Sequence, residues 1–269
     1  MEWFRRWIVE GYSVRQLALQ SGHSMRSLHK LVRSVLAEEP PEPAADLRSV
    51  RHAMLDGTFL HGRRSVAVLM DGQTHTVIGG GYGISENSEI QLRSFLIPLR
   101  EQGLSPTSFT VDGSPQVMKV IRSLWPGAVI QRCLVHIQRQ GLSWCRVNPK
   151  TAHALRLREI FRQVTGIRTV AERETFLQSF AQWEDEYGEP IRTRRRRGPV
   201  FSDVKQARSM LLRALPDMFR YLDTPGIPTS TNGLEGYFSR LKARYRQHRG
   251  LNKERRPGYF AWYLHLVPR

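Results

Sequence analysis

The sequence predicts an α/β protein: a mixed five-stranded sheet with helices, an all-helical insertion, and a small helical unit in front. Three observations carry this. From about residue 50 the apolar residues fall into short runs divided by turns, as strands require. Residues 150–224 lack strand signals, and their Leu, Ile, Phe and Trp residues are spaced as on helices. A Pro/Glu/Ala stretch sets the first 38 residues apart.

Taken in order, WFRRWIVEGYS suggests a short helix, and Ser13 can cap a second one that turns Val14, Leu17 and Ala18 inward. A turn at Gly22 leads to Ser24, which can cap SMRSLHKLVRSVL. Leu28, Leu31, Val32 and Val35 share one face of that helix, while Arg26, His29, Lys30 and Arg33 point elsewhere. Two short helices with a basic outer face form a helix-turn-helix pattern over residues 1–38. A semi-extended linker follows, residues 39–48. RHAMLDGTFL, RRSVAVLMDG and THTVIGGGYG then read as consecutive strands, with DGQ as a hairpin signal. SEIQLRSFLIPLREQG is an amphipathic helix stopped by Gly103, SFTVDGS a buried strand, SPQVMKVIRSLW a helix, AVIQRC a strand and LVHIQRQGLSW a helix. That β-β-β-α-β-α-β-α succession is the one a ribonuclease H-like core shows. Residues 49–269 form this second domain, with the helical insertion at about 146–226 and a helix bent at Pro216 near its end.

Composition narrows the partners. A formal net charge of +17 on 269 residues favours a polyanion, because Lys and Arg release counterions from phosphates. No apolar run reaches the length of a membrane span, and the N-terminus lacks a signal-peptide core. Two cysteines, Cys133 and Cys145, make no disulfide framework, so the chain is expected in a reducing cytosol. Nucleic acid is the expected partner, with no membrane and no small-molecule substrate.

Three acids stand apart from the helix and linker acids. Asp56 interrupts the apolar strand AMLDGTF and precedes Gly57; Asp112 ends the apolar strand FTVD and precedes Gly113. With those strands side by side, both carboxylates would reach one sheet edge, a costly pairing without a cation between them. Hard oxygen ligands suit Mg²⁺ or Mn²⁺. Glu235, in TSTNGLEGYFSRLKARYR, is the candidate third ligand, on a helix that Thr229 or Ser230 can cap. Asn232, Ser239, Lys242 and Arg246 share its side of that helix. Read alone, Glu235 better suits a first-turn acid facing the helix dipole, or a partner for Lys242.

DGTF (56–59), TVDGSPQ (110–116), CLVH (133–136) and STNGLEGYFSRLK (230–242) together resemble the signatures of DDE transposases of the Mutator-like bacterial insertion-sequence group. The resemblance runs from about residue 50 to 265. It implies Asp56, Asp112 and Glu235 as catalytic metal ligands holding two Mg²⁺ (or Mn²⁺) ions. It also implies Cys133, His136 and Asn232 as site-supporting residues. The implied reaction is hydrolysis at transposon ends followed by strand transfer into target DNA, by a homodimer or larger assembly on double-stranded DNA in the bacterial cytoplasm, associated with the nucleoid. Arg26, His29, Lys30, Arg33, Arg194, Arg195, Arg196, Arg240, Lys242 and Arg246 are the expected DNA contacts. Alternatives from the same residues are an inactive DNA-binding regulator and a nuclease that cuts without joining. Relatives often carry a Cys-rich zinc module before the helix-turn-helix, and this sequence has none. Trp183 is expected to pack the insertion rather than stack on a base.

Overall fold

A computed structural model describes residues 1–41, 46–61, 64–193, 199–248 and 250–269. In chain order come α1 (Glu2–Arg5), α2 (Val14–Ser21), α3 (Met25–Ala37), β1 (His52–His61), β2 (Arg64–Asp71), β3 (Val77–Tyr82), α4 (Glu89–Glu101), β4 (Ser108–Val111), α5 (Pro115–Leu124), β5 (Val129–Arg132) and α6 (Leu134–Cys145). There follow α7 (Ala152–Gln163), α8 (Val170–Trp183), α9 (Glu189–Thr193), α10 (Pro199–Ala214), α11 (Arg220–Asp223), α12 (Asn232–Gln247) and α13 (Arg256–Leu266). The strands form a mixed five-stranded sheet in the order β3-β2-β1-β4-β5. This is the α/β class and the element succession expected from sequence. Among the described residues no helix is long and apolar enough to cross a membrane.

The chain divides into two compact units: residues 1–107, 114–128 and 232–269 in one, and residues 108–113 and 129–231 in the other. In the first unit β1 and β2 pair antiparallel, with Asp56 opposite Val68, and β3 pairs antiparallel with β2. Asp71 closes the β2–β3 turn. Its carboxylate accepts from the Gln73 N–H at 3.0 Å and the Thr74 hydroxyl at 2.7 Å.

The N-terminal helices begin where their caps predict. The Ser13 hydroxyl accepts from the Gln16 N–H and the Gln16 side chain returns to Ser13, a capping box, while Ser24 caps α3. Their packing crosses the expected domain boundary. Phe4, Trp7, Ile8, Leu17, Leu28 and Val35 share one core with Met54, Val68, Tyr237 and Tyr259. The Trp262 indole N–H donates to the carbonyls of Val35 and Glu38, and Gly258 has no Cβ to strike the Leu36 carbonyl. At the far end of the linker, Leu47–Ser49 is a 3₁₀ turn capped by Asp46, with Leu47 buried. Apolar residues on both sides of residues 39–48 thus enter one core, because burial of apolar surface rewards sharing it.

In the second unit β4 and β5 pair in parallel, Val111 beside Arg132. Among its described residues every regular element after β5 is helical, around a core of Leu157, Phe161, Phe176, Trp183 and Leu211. Trp183 lies in that core, its indole N–H on the His153 carbonyl. The helix expected to bend at Pro216 instead ends: α10 stops at Ala214, a 3₁₀ turn spans Leu215–Asp217, and α11 starts afresh at Arg220. Proline lacks the N–H and its ring strikes the preceding turn, and here the break is complete.

Candidate active site

Asp56 sits inside β1, 6% exposed, among the buried Met54, Leu55 and Val68. The Gly57 N–H donates to Asp56 Oδ1 at 2.8 Å. A Cβ on Gly57 would stand 3.0 Å from Glu86 Cδ and 3.2 Å from its Oε2, so a second carboxyl occupies the space that glycine leaves. The loop bearing Glu86 is tied down by the Ser114 hydroxyl, which donates to the Glu86 carbonyl, and by the Gln91 side chain on the Ser85 N–H.

Glu235 lies in the first turn of α12 and is half-buried. That helix starts at Asn232, later than a Thr229 or Ser230 cap would place it. Leu234, Tyr237, Phe238, Leu241 and Tyr245 form its buried stripe. Gly233 brings the first turn close to the sheet: a Cβ there would stand 3.4 Å from Met54 Cε and from Met70 Sδ. Side chains of a strand alternate, so Met54 and Asp56 share a face, and the turn carrying Glu235 lies against that face. Asn232, Ser239, Arg240 and Arg246 are exposed and Lys242 is half-buried; the Arg240 guanidinium lies 5.8 Å from the Tyr237 ring.

In the second unit Asp112 is the first residue beyond β4 and is half-buried. Gly113 has φ +102°, which few other residues adopt. A Cβ on it would fall 1.9 Å from Cζ of Arg132, so the guanidinium lies directly against the glycine. Arg132 Nη2 donates to the Asp112 carbonyl at 3.2 Å. Burial works hardest against the Arg132 charge and draws its pKa below the ordinary value; the Asp112 and Asp217 carboxylates favour the charge and Arg213 opposes it.

Cys133 follows Arg132 and is fully buried. His136 Nδ1 lies 3.2 Å from its sulfur, and the Thr231 N–H and hydroxyl donate to the same sulfur at 3.4 and 3.6 Å. Burial raises the thiol pKa, yet the His136 hydrogen bond and charge, with the Thr231 N–H, outweigh it and hold the thiol below its ordinary value. Cys145 has no such partner set and burial pushes its thiol up to about 12.

Asp56 and Glu235 thus belong to one unit, and Asp112, Cys133 and His136 to the other. Among the described residues, no three His, Cys, Asp or Glu side chains are gathered closely enough to hold a metal ion. The donor types still fit a hard divalent cation: three carboxylates, one of them buried on an apolar strand.

Residues 62–195 match the family model for the transposases of the Mutator family. Through this segment the chain belongs to the Mutator transposase family. A comparison with curated proteins found no match. The family segment contains Asp112, Cys133 and His136, while Asp56 precedes it and Glu235 follows it. Of the expected DNA contacts, Arg26, His29, Lys30 and Arg33 are exposed on α3. Arg194, Arg195 and Arg196 lie outside the described residues. Glu86 and Arg132 escaped the sequence reading. Glu86 sits among helix-cap residues, and Arg132 ends a strand in a chain already rich in arginine, so neither carries a local signal.

Proposed function

We propose that the chain is a metal-dependent DNA transposase in which Asp56, Asp112 and Glu235 hold Mg²⁺ or Mn²⁺, two ions to a site, within a ribonuclease H-like core. The observation that carries the reading is the first turn of α12, with Glu235, against the β1 face that bears Asp56. The Mutator-family match through Asp112 supports it. When bound, such ions activate a water or a 3′-hydroxyl and stabilise the leaving oxygen of a phosphodiester.

The chain's own residues serve that chemistry in distinct ways. Asp56 is held by the Gly57 N–H, so its rotamer is set before any cation arrives. Arg240, Lys242 and Arg246, following Glu235 along α12, contact the phosphate backbone, and Asn232, at the start of that helix, supports the site. Cys133, His136 and Thr231 tie the start of α6 to the segment before α12, supporting the site without touching substrate. The α2–α3 pair acts as a helix-turn-helix, with Arg26, His29, Lys30 and Arg33 on DNA. Double-stranded transposon ends and target DNA are the partners, and pairing two ends calls for a homodimer or larger assembly.

The test is incubation of the full chain with transposon-end DNA, a target plasmid and Mg²⁺. Joined products are expected. Cleavage without joining would make the protein a nuclease, and binding alone would make it a regulator. Either result overturns the proposal.

A further inference from the structure

Arg132 is 8% exposed and carries a charge that the Asp112 and Asp217 carboxylates favour, but that burial disfavours more strongly. Among the described residues its Nε has no hydrogen-bond partner, and the guanidinium makes its hydrogen bond to a neutral carbonyl, that of Asp112. A buried charge without an ion-pairing carboxylate lowers stability, and an apolar side chain of similar length would pack there at less cost. Stability alone does not account for a charged residue here.

Its position supplies another reason. The parallel register sets Arg132 beside Val111, the residue before Asp112. From there the guanidinium plane fills the place of a Gly113 Cβ while Nη2 grips the carbonyl of Asp112. The turn is therefore held just after the Asp112 Cα, at its carbonyl and at Gly113, with Gly113 left at φ +102°. The ladder ends with the Cys133 N–H on the Val111 carbonyl, just before Asp112, and the Arg132 clamp holds the backbone just after it. We propose that Arg132 is the positioning residue for Asp112, fixing the turn that aims its carboxylate at the cation. The inference rests on the metal-site reading above and deepens it.

The test uses the full chain with Mn²⁺ as probe, free Mn²⁺ being read by electron paramagnetic resonance, together with thermal unfolding of the metal-free protein. Arg132→Met should weaken Mn²⁺ binding roughly tenfold or more, the scale of lost support behind a metal ligand. Its unfolding temperature should stay level or rise. Arg132→Lys, which keeps the charge but not the plane, should recover only part of the affinity. Gly113→Ala approaches the clamp from the other side and should weaken Mn²⁺ binding as Arg132→Met does, which keeps the test open if one variant folds poorly. If Arg132→Met binds Mn²⁺ like the native chain while Asp112→Asn does not, the positioning role is wrong. A fall in the unfolding temperature of Arg132→Met that tracks its affinity loss would also overturn it, by making Arg132 a stability residue. If Asp112→Asn itself binds Mn²⁺ like the native chain, the metal-site reading fails and takes this inference with it.

Discussion

Two Asp-Gly pairs stand at the centre of the account, and their surroundings are opposite. At Asp56–Gly57 the aspartate lies within a strand, and the space above the glycine holds the Glu86 carboxyl. At Asp112–Gly113 the aspartate lies beyond a strand end, and the space holds the Arg132 guanidinium. The first glycine is needed for close approach alone. The second is needed for close approach and for a left-handed backbone. One dipeptide therefore does two jobs: a carboxyl rests on the strand glycine and a guanidinium on the turn glycine.

If both aspartates serve one reaction, the difference should vanish in the severest test. Asp56→Asn and Asp112→Asn should each reduce joining to background in the end-joining assay, and a variant that still joined would split the pair. Glycine substitutions should then separate the sites. Gly113→Ala should cost roughly 2–4 kcal/mol from backbone strain plus the clash with Arg132, against about 1 kcal/mol for Gly57→Ala, where a flexible glutamate end can shift. Thermal or urea unfolding reads both; equal losses would remove the contrast.

Measuring the two sites against pH requires a background to be removed. Burial holds His248 down to about 4 despite its hydrogen bond to the Trp7 carbonyl. The unfolded imidazole, at its ordinary 6.5, takes up a proton before the folded one does. Stability from this group is therefore complete above about pH 6.5 and lost as pH falls toward 4. His248→Gln should flatten unfolding stability across that window, and a slope that persisted would have to arise elsewhere. The smallest effect is expected from Glu86→Gln, which keeps the shape over Gly57 and removes its charge. Unfolding stability should change by less than about 0.5 kcal/mol.

Much of this was legible in the sequence and some was not, for physical reasons. Ser13, Ser24 and Gly103 marked helix ends correctly because caps are local chemistry. The three β1–β3 strands were legible because their apolar runs and turn residues lie next to one another in the chain. Nothing near residues 39–48 reveals that Trp262 will reach back to Val35 and Glu38. Pro216 is expected as a bend and is a break, since α10 ends at Ala214 and α11 starts afresh at Arg220. Asp56 and Asp112 stood out as acids in apolar strands, whereas Glu86 and Arg132 become visible only when the strands and loops are placed. Glu235 was ambiguous alone and gained meaning from Gly233, whose bare Cα lets the turn settle on Met54.

The proposed function requires Asp56, Asp112 and Glu235 to serve the same bound cations. Iron-directed cleavage tests it most directly: Fe²⁺ replaces Mg²⁺, ascorbate and hydrogen peroxide generate local hydroxyl radicals, and the cut positions are mapped by mass spectrometry. The account predicts cuts in three segments, around residues 56, 112 and 235, all lost in Asp112→Asn. Cuts confined to one segment, or surviving in Asp112→Asn, would contradict it.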